Sequence, residues 1–169
     1  IYFYSEIDRE NVLELNKNLR SVSNDLVARR ITEGSESGEI FLHINSDGGI
    51  VSDAMSSMDE ILNSKIPVNT IIDGCCMSAA TFLSIAGKKR YINRHAFIMI
   101  HQLSTGFWGD FDFLQDQMKN TELIMNLVKK TYRSYTKITE EKLNFLMDRE
   151  LYLLPEEAVE LGFVDEIIG

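Results

Sequence analysis

Between residues 39 and 100 the sequence alternates strand-like runs with helical ones, and glycine-bearing turns separate several of them. The runs 39–44, 68–72 and 96–100 are short and rich in β-branched or aromatic side chains, which suit a pleated surface. The stretches 51–63 and 77–86 between them read as helices. Asp47-Gly48-Gly49 turns the first strand into the first of these helices, and Pro67 precedes the second strand. Parallel strands need a crossover, usually a helix, so this order predicts an α/β fold with a mainly parallel sheet.

The flanks extend the pattern. Ile1 to Tyr4 is a short β-type run, and Val12, Leu15, Leu19, Val22 and Leu26 keep helical spacing across 11–31. A polar loop is expected over 33–38. Phe111, Leu114, Met118, Met125, Val128, Tyr132 and Tyr135 predict a long helix over 111–135, capped by Asp110 or Asp112. Leu123, Ile124 and Leu127 add a second apolar face, which points to a partner chain. A shorter helix over 140–147 has Thr139 as its N-cap. A strand over 151–153, a helix opened by Pro155 and closed by Gly162, and Phe163-Val164 complete the chain. No linker or repeat divides residues 1–169, so a single domain is expected.

The net charge of −9 argues against a nucleic-acid partner, which would require clustered cations. Lys88-Lys89-Arg90 and Lys129-Lys130 read as solvated surface. The only cysteines, Cys75 and Cys76, are adjacent and poorly placed to bridge each other. They read as two small buried thiols in a reducing compartment. With His43, His95 and His101 they form no recognisable metal spacing. No apolar run reaches the ~20 residues of a membrane span, and no stretch reads as a secretory signal. The chain opens at Ile1 rather than at a methionine, which leaves room for residues ahead of it.

The chemistry-bearing segment is Asp73-Gly74-Cys75-Cys76-Met77-Ser78-Ala79-Ala80, read as a strand end, a tight turn and a helix start. A serine hydroxyl becomes a nucleophile only when a base takes its proton and a third group orients that base. At a helix start, the N–H of Ala79 is a natural oxyanion donor. His101 ends the apolar strand Phe97-Ile98-Met99-Ile100 and shares a face with Phe97 and Met99. Gly48-Gly49 can expose a second backbone donor. His43 and His95 read as satisfied core or rim residues.

These residues carry a family resemblance that covers nearly the whole chain. Ile44-Asn45-Ser46-Asp47-Gly48-Gly49 resembles the INSPGG turn of the proteolytic subunits of the Clp protease, the ClpP family. Residues 74–80 resemble that family's GxAASMG nucleophile motif, Met99-Ile100-His101-Gln102 resembles MIHQ, and residues 157–165 resemble EAVEYGLVD. The resemblance implies a ClpP/crotonase-like spiral of β-β-α units with a protruding handle of a long helix and a strand, over about 103–136. It implies Ser78 as nucleophile, His101 as base, and Gly49 and Ala79 as the oxyanion hole. Residues 105–109, with Thr105, Gly106 and Phe107, match the segment that pairs with the substrate backbone. The family works without a metal or organic cofactor. Its heptameric rings stack in pairs around a chamber in the cytoplasm, fed with unfolded polypeptide by a AAA+ unfoldase.

The sequence also departs from the family. The catalytic aspartate position falls on Glu150, with Asp148 two residues away as an alternative. Asp47 replaces the proline of INSPGG, and Leu103-Ser104-Thr105 replaces proline-leucine-glycine. Phe107 and Trp108 are large enough to line or narrow the peptide groove. The sequence starts close to the first strand, ahead of which the family carries an axial gate. A serine endopeptidase subunit is the reading these residues support best. The alternatives are a weakly active or inactive subunit of a mixed ring, and an acyl-CoA enzyme of crotonase architecture.

Overall fold

The computed structural model describes residues 1–34 and 38–169. Ser35, Glu36 and Ser37, at the centre of the expected polar loop, lie outside the described residues. The chain runs β1 (Tyr2–Phe3), α1 (Arg9–Glu33), β2 (Ile40–Ser46), α2 (Val51–Leu62), β3 (Val68–Met77), α3 (Ala80–Ile85), β4 (Arg90–Asn93), β5 (Phe97–Met99), α4 (Phe111–Tyr135), α5 (Glu140–Met147), β6 (Tyr152–Leu153), α6 (Pro155–Glu160) and β7 (Glu166–Ile168). This is the expected α/β fold. The strand order is β1-β2-β3-β4-β7, all parallel, with β5 also paired to β3 and β6 antiparallel to β5.

The central strand β3 is twice the length expected from the sequence, because it changes neighbour midway. Thr70–Ile72 pair with β4, and Cys75–Met77 pair with β5. Asp73-Gly74 is therefore strand, not the strand end and turn read from sequence. The β2–β3 register also shifts between Ile44 and Ser46, a bulge that frees backbone groups. Asn45 fills it: its Oδ1 accepts the Cys75 N–H at 2.9 Å. A Cβ at Gly74 would lie 2.7 Å from that same oxygen, so the glycine is needed for close approach.

Helices α1, α4 and α5 open on side-chain caps. The Asp8 carboxylate accepts from Asn11 N at the start of α1, Asp110 accepts from Phe113 N at α4, and the Thr139 hydroxyl accepts from Lys142 N at α5. Gly34 and Gly162 take positive φ after α1 and α6. Helix α3 is shorter than expected, since Met77 stays in the ladder with Met99 and only Ala80 onward is helical. The core is built by side chains such as Leu42, Ile44, Ile72, Ile92 and Ile98, fully shielded on the sheet.

Helix α4 is about 37 Å long at 1.5 Å per residue, yet only Val128 and Tyr132 on it are buried. Phe111, Phe113, Leu114, Met118, Leu123, Ile124 and Leu127 are exposed. The connecting segment from His101 to Asp110 forms no strand ladder in the single chain.

Arg90 corrects the expectation of a solvated basic run. Its guanidinium bonds the carbonyls of Tyr135 and Gly162, both at 2.8 Å, and pairs with Asp165. It thereby ties α4, the end of α6 and the approach to β7 onto β4. Burial alone would raise the Asp165 pKa, but the hydrogen bonds and charge of Arg90 outweigh it and hold the carboxyl below its ordinary value.

Candidate active site

Parallel pairing of β3 with β5 sets the site. The register puts Met77 beside Met99, and the Ser78 N–H donates to the Met99 carbonyl at 2.7 Å, one residue past the strand end. Both chains leave the sheet at their carboxyl ends here, the position where α/β sheets present functional groups. Ser78 turns the chain with φ 52, the only positive φ at a non-glycine among the described residues. Such a conformation persists only where surrounding structure holds it. Here the Ser78 carbonyl is gripped by the N–H and hydroxyl of Thr81, at 3.1 and 2.6 Å. Gly48 packs against the other side, where a Cβ would lie 2.6 Å from the Met77 carbonyl and 2.7 Å from the Ser78 Cβ.

Ser78 and His101 line one cavity of about 290 Å3, together with Gly49 and Ala79. Among the described residues, the N–H groups of Gly49 and Ala79 have no backbone acceptor. Both residues line the cavity, and neither N–H is taken by the backbone. Phe82, Val128 and Tyr132 also line it. The Tyr132 hydroxyl bonds the Thr81 hydroxyl at 2.7 Å, and its ring stacks on Phe82. Burial pushes the Tyr132 phenol well above its ordinary pKa, so it remains neutral.

His101 opens onto a second cavity of about 530 Å3, lined by Met147, Asp148, Arg149 and Glu150. Strand β6 on β5, and the Gln102 N–H donating to the Met147 carbonyl at 2.9 Å, hold the 148–151 connection beside the histidine. Asp148 and Glu150, both named from sequence, therefore line a cavity that His101 also lines. Among the described residues, the Ser78 hydroxyl, the His101 ring and the Glu150 carboxylate are not hydrogen-bonded to one another. The closest histidine–carboxylate pair is a different one, His43 Nδ1 to Asp73 at 2.9 Å, on the opposite face of β2 from Ile44. Tyr4 and Asn93 bond the same carboxylate, at 2.5 and 3.0 Å, and Tyr2 stacks on His43. The hydrogen bond to Asp73 pushes the Tyr4 phenol up to about 12. His43 is satisfied there, away from Ser78, and His95 is exposed.

A groove of about 710 Å3 adjoins the site between α2 and α4. Thr105 and Phe107 line it, with Met55, Ile124 and Leu127. Gly106 does not line it, and Trp108 is 97% exposed. Among the described residues, the backbone N–H groups of 103–109 have no backbone acceptor. Cys76 is buried as expected, but Cys75 is only half-buried. Burial and a hydrogen bond to Asp47 push the Cys75 thiol up to about 11, so it is not a nucleophile at neutral pH. Among the described residues, no group of three or more His, Cys, Asp or Glu converges as metal ligands.

Sequence reasoning did not place Phe82, Val128, Tyr132 or Asp47 in the site. The i, i+4 pair Val128 and Tyr132 was legible only as an apolar helix face. Asp47 was visible as an acid beside a double glycine.

Comparison with known proteins gives consistent findings. The family model described as Clp protease matches residues 1–169. The chain is 32% identical over 170 residues to the ATP-dependent Clp protease proteolytic subunit of Deinococcus radiodurans, covering 98% of this chain and 83% of the relative. It is 32% identical over 180 residues to ATP-dependent Clp protease proteolytic subunit 1 of Prochlorococcus marinus, covering 98% and 87%. Among solved structures, a point mutant of ClpP1 from Listeria monocytogenes matches with a TM-score of 0.84 at 24% identity, covering 99% of this chain and 90% of that one. That structural likeness speaks for the fold.

Proposed function

This chain belongs to the Clp protease family, and from that premise we propose that it is a serine endopeptidase subunit acting on unfolded polypeptide. The observation that carries this reading is the shared cavity: Ser78, held at positive φ, lines it together with His101, Gly49 and Ala79, and among the described residues the Gly49 and Ala79 amides have no backbone acceptor. In this mechanism the Ser78 Oγ attacks the scissile carbonyl carbon while His101 takes the hydroxyl proton. The amides of Gly49 and Ala79 stabilise the resulting oxyanion. The intermediate collapses with cleavage of the C–N bond, and His101 returns the proton to the leaving amine. Water, activated by the same histidine, then releases the acyl group. Glu150 orients the imidazole, with Asp148 as the alternative in the same cavity. No step calls on a metal or organic cofactor.

The unpaired backbone of 103–109, with Thr105, Gly106 and Phe107, receives the substrate as an added strand beside the groove. An active-site fluorophosphonate is expected to label the parent protein at Ser78, and labelling is expected to vanish in Ser78→Ala. Labelling that persists in that variant overturns the assignment.

The exposed apolar length of α4 supports a handle that meets a second copy, giving two stacked heptameric rings. Sedimentation velocity is expected to show a ring-sized particle, and a stable monomer at micromolar concentration removes this part of the reading. A cytoplasmic setting and feeding by a Clp-type AAA+ unfoldase accompany the family reading, as the relatives' designation "ATP-dependent" suggests. No helix among the described residues is long and apolar enough to cross a membrane.

One observation favours a second reading. The Ser78 hydroxyl, His101 and Glu150 are not joined by hydrogen bonds in the single chain, which fits a subunit that is weak or silent until it assembles with a different one. Catalytic hydrogen bonds often tighten only with substrate bound, and for that reason the active reading stands first.

A further inference from the structure

We propose that Asp47 makes this site select substrates that carry a cationic side chain close to the scissile bond. The inference rests on the peptidase reading of Ser78 and His101, and it names a substrate feature that reading leaves open.

Asp47 stands between the buried end of β2 and Gly48, whose backbone packs directly on Ser78. Asp47 lines the same 290 Å3 cavity as Ser78 and His101, and it is exposed to solvent. Among the described residues it is the only carboxylate that lines the cavity, and no Lys or Arg lines it. Among the described residues, no cation lies within ion-pair distance of it. One carboxylate oxygen, Oδ1, accepts the Cys75 thiol at 3.2 Å. Burial and this contact raise the thiol's pKa to about 11, so the thiol adds no second negative charge at physiological pH.

A negative charge in the cavity that Gly49 and Ala79 line works against the oxyanion that their amides stabilise. Like charges that share one cavity repel, modestly where solvent reaches them. Among the described residues no counter-ion faces Asp47, so a substrate ammonium or guanidinium lowers this repulsion while gaining an ion pair. A neutral side chain does neither, and an acidic one adds to the repulsion. The neighbouring groove is lined by neutral side chains, so it offers no competing charge preference. The cavity beyond His101 carries Asp148, Arg149 and Glu150, and only substitution at Asp47 separates its influence from theirs.

The test uses the full chain and one internally quenched peptide backbone. Leu, Lys or Glu is placed in turn at each position within three residues of the cleaved bond. At low salt the parent is expected to favour Lys over Leu at one or more positions. Asp47→Asn keeps the shape and the acceptor for the Cys75 thiol, and it is expected to shrink that Lys-to-Leu ratio about fivefold, the worth of a solvent-accessible ion pair. Raising the salt is expected to shrink the parent's ratio but not the variant's. Equal ratios in the two proteins at every position overturn the proposal.

The same peptides are also titrated against Ser78→Ala and Ser78→Ala/Asp47→Asn by fluorescence anisotropy, which needs no turnover. If nothing is cleaved and no fluorophosphonate reacts, the peptidase reading has failed. The binding ratio still decides the role of Asp47: a Lys preference lost with Asp47→Asn supports it, and none overturns it.

Discussion

Peptide hydrolysis by the Ser78→Ala or His101→Ala protein is expected to fall by about 10^4- to 10^6-fold, the loss seen when a member of a serine–histidine unit is removed. The two residues handle one proton between them, so either deletion stops the same step. Their losses are therefore expected not to add: Ser78→Ala/His101→Ala falls no further than the worse single variant. Multiplying losses, measured as kcat/KM on one fluorogenic peptide, would mean that the two side chains act independently and would end the paired mechanism. Loss of fold does not mimic this result. Among the described residues the Ser78 hydroxyl holds no hydrogen bond, and its backbone bonds to Met99 and Thr81 do not depend on the side chain. Circular dichroism of Ser78→Ala is expected to match the parent.

The acid is read from the same assay. If Glu150 orients His101, Glu150→Gln lowers kcat by about 10^2- to 10^4-fold with little change in KM. A pure protein with negligible activity that gains strongly from Glu150→Asp, or from a second subunit, identifies the silent-subunit reading instead.

How much was legible in the sequence depended on the range of the interactions involved. The bounds of α4 and α5 follow from apolar spacing and from Asp110 and Thr139, all within a few residues of one another. β3 was cut short because its continuation is set by a neighbour some twenty residues later, where β4 gives way to β5. The same long-range pairing puts φ 52 on Ser78; read locally, the segment shows only a turn and a helix start. Arg90 looked solvated in a basic run because Asp165, its partner, is 75 residues away. The site divides along the same line. Parallel strands one crossover apart deliver Ser78 and His101 to one end of the sheet, and motif order reveals that. The choice between Asp148 and Glu150 rests on the path of a short connection, which no periodicity encodes.

The other large effect is expected at the double glycine. Gly49 holds φ 147, and a Cβ built there would lie 2.2 Å from the Ile7 carbonyl oxygen. The obstacle is backbone, so no side-chain rotation relieves it. In Gly49→Ala the chain at Ile7 has to move, which endangers the hydrogen bonds from Ile7 N to Gly48 O and from Ile50 N to Ile7 O, each 2.8 Å. Those bonds contribute about 1 kcal/mol each, and an L side chain in this backbone region costs about 1–3 kcal/mol. Together they predict a loss of roughly 3–5 kcal/mol in denaturant unfolding, compared at one protomer concentration because assembly contributes to apparent stability. The Gly49 amide is also a proposed oxyanion donor, and displacing one such donor costs about 10^2- to 10^3-fold in kcat. Gly106→Ala is the stability control: nothing lies within 4 Å of its would-be Cβ, and its unfolding midpoint is expected to stay within about 0.5 kcal/mol of the parent. A Gly49→Ala protein with both parental stability and parental kcat would show that neither the tight approach to Ile7 nor this amide matters. A stable variant that has lost only kcat would isolate the oxyanion role from the structural one.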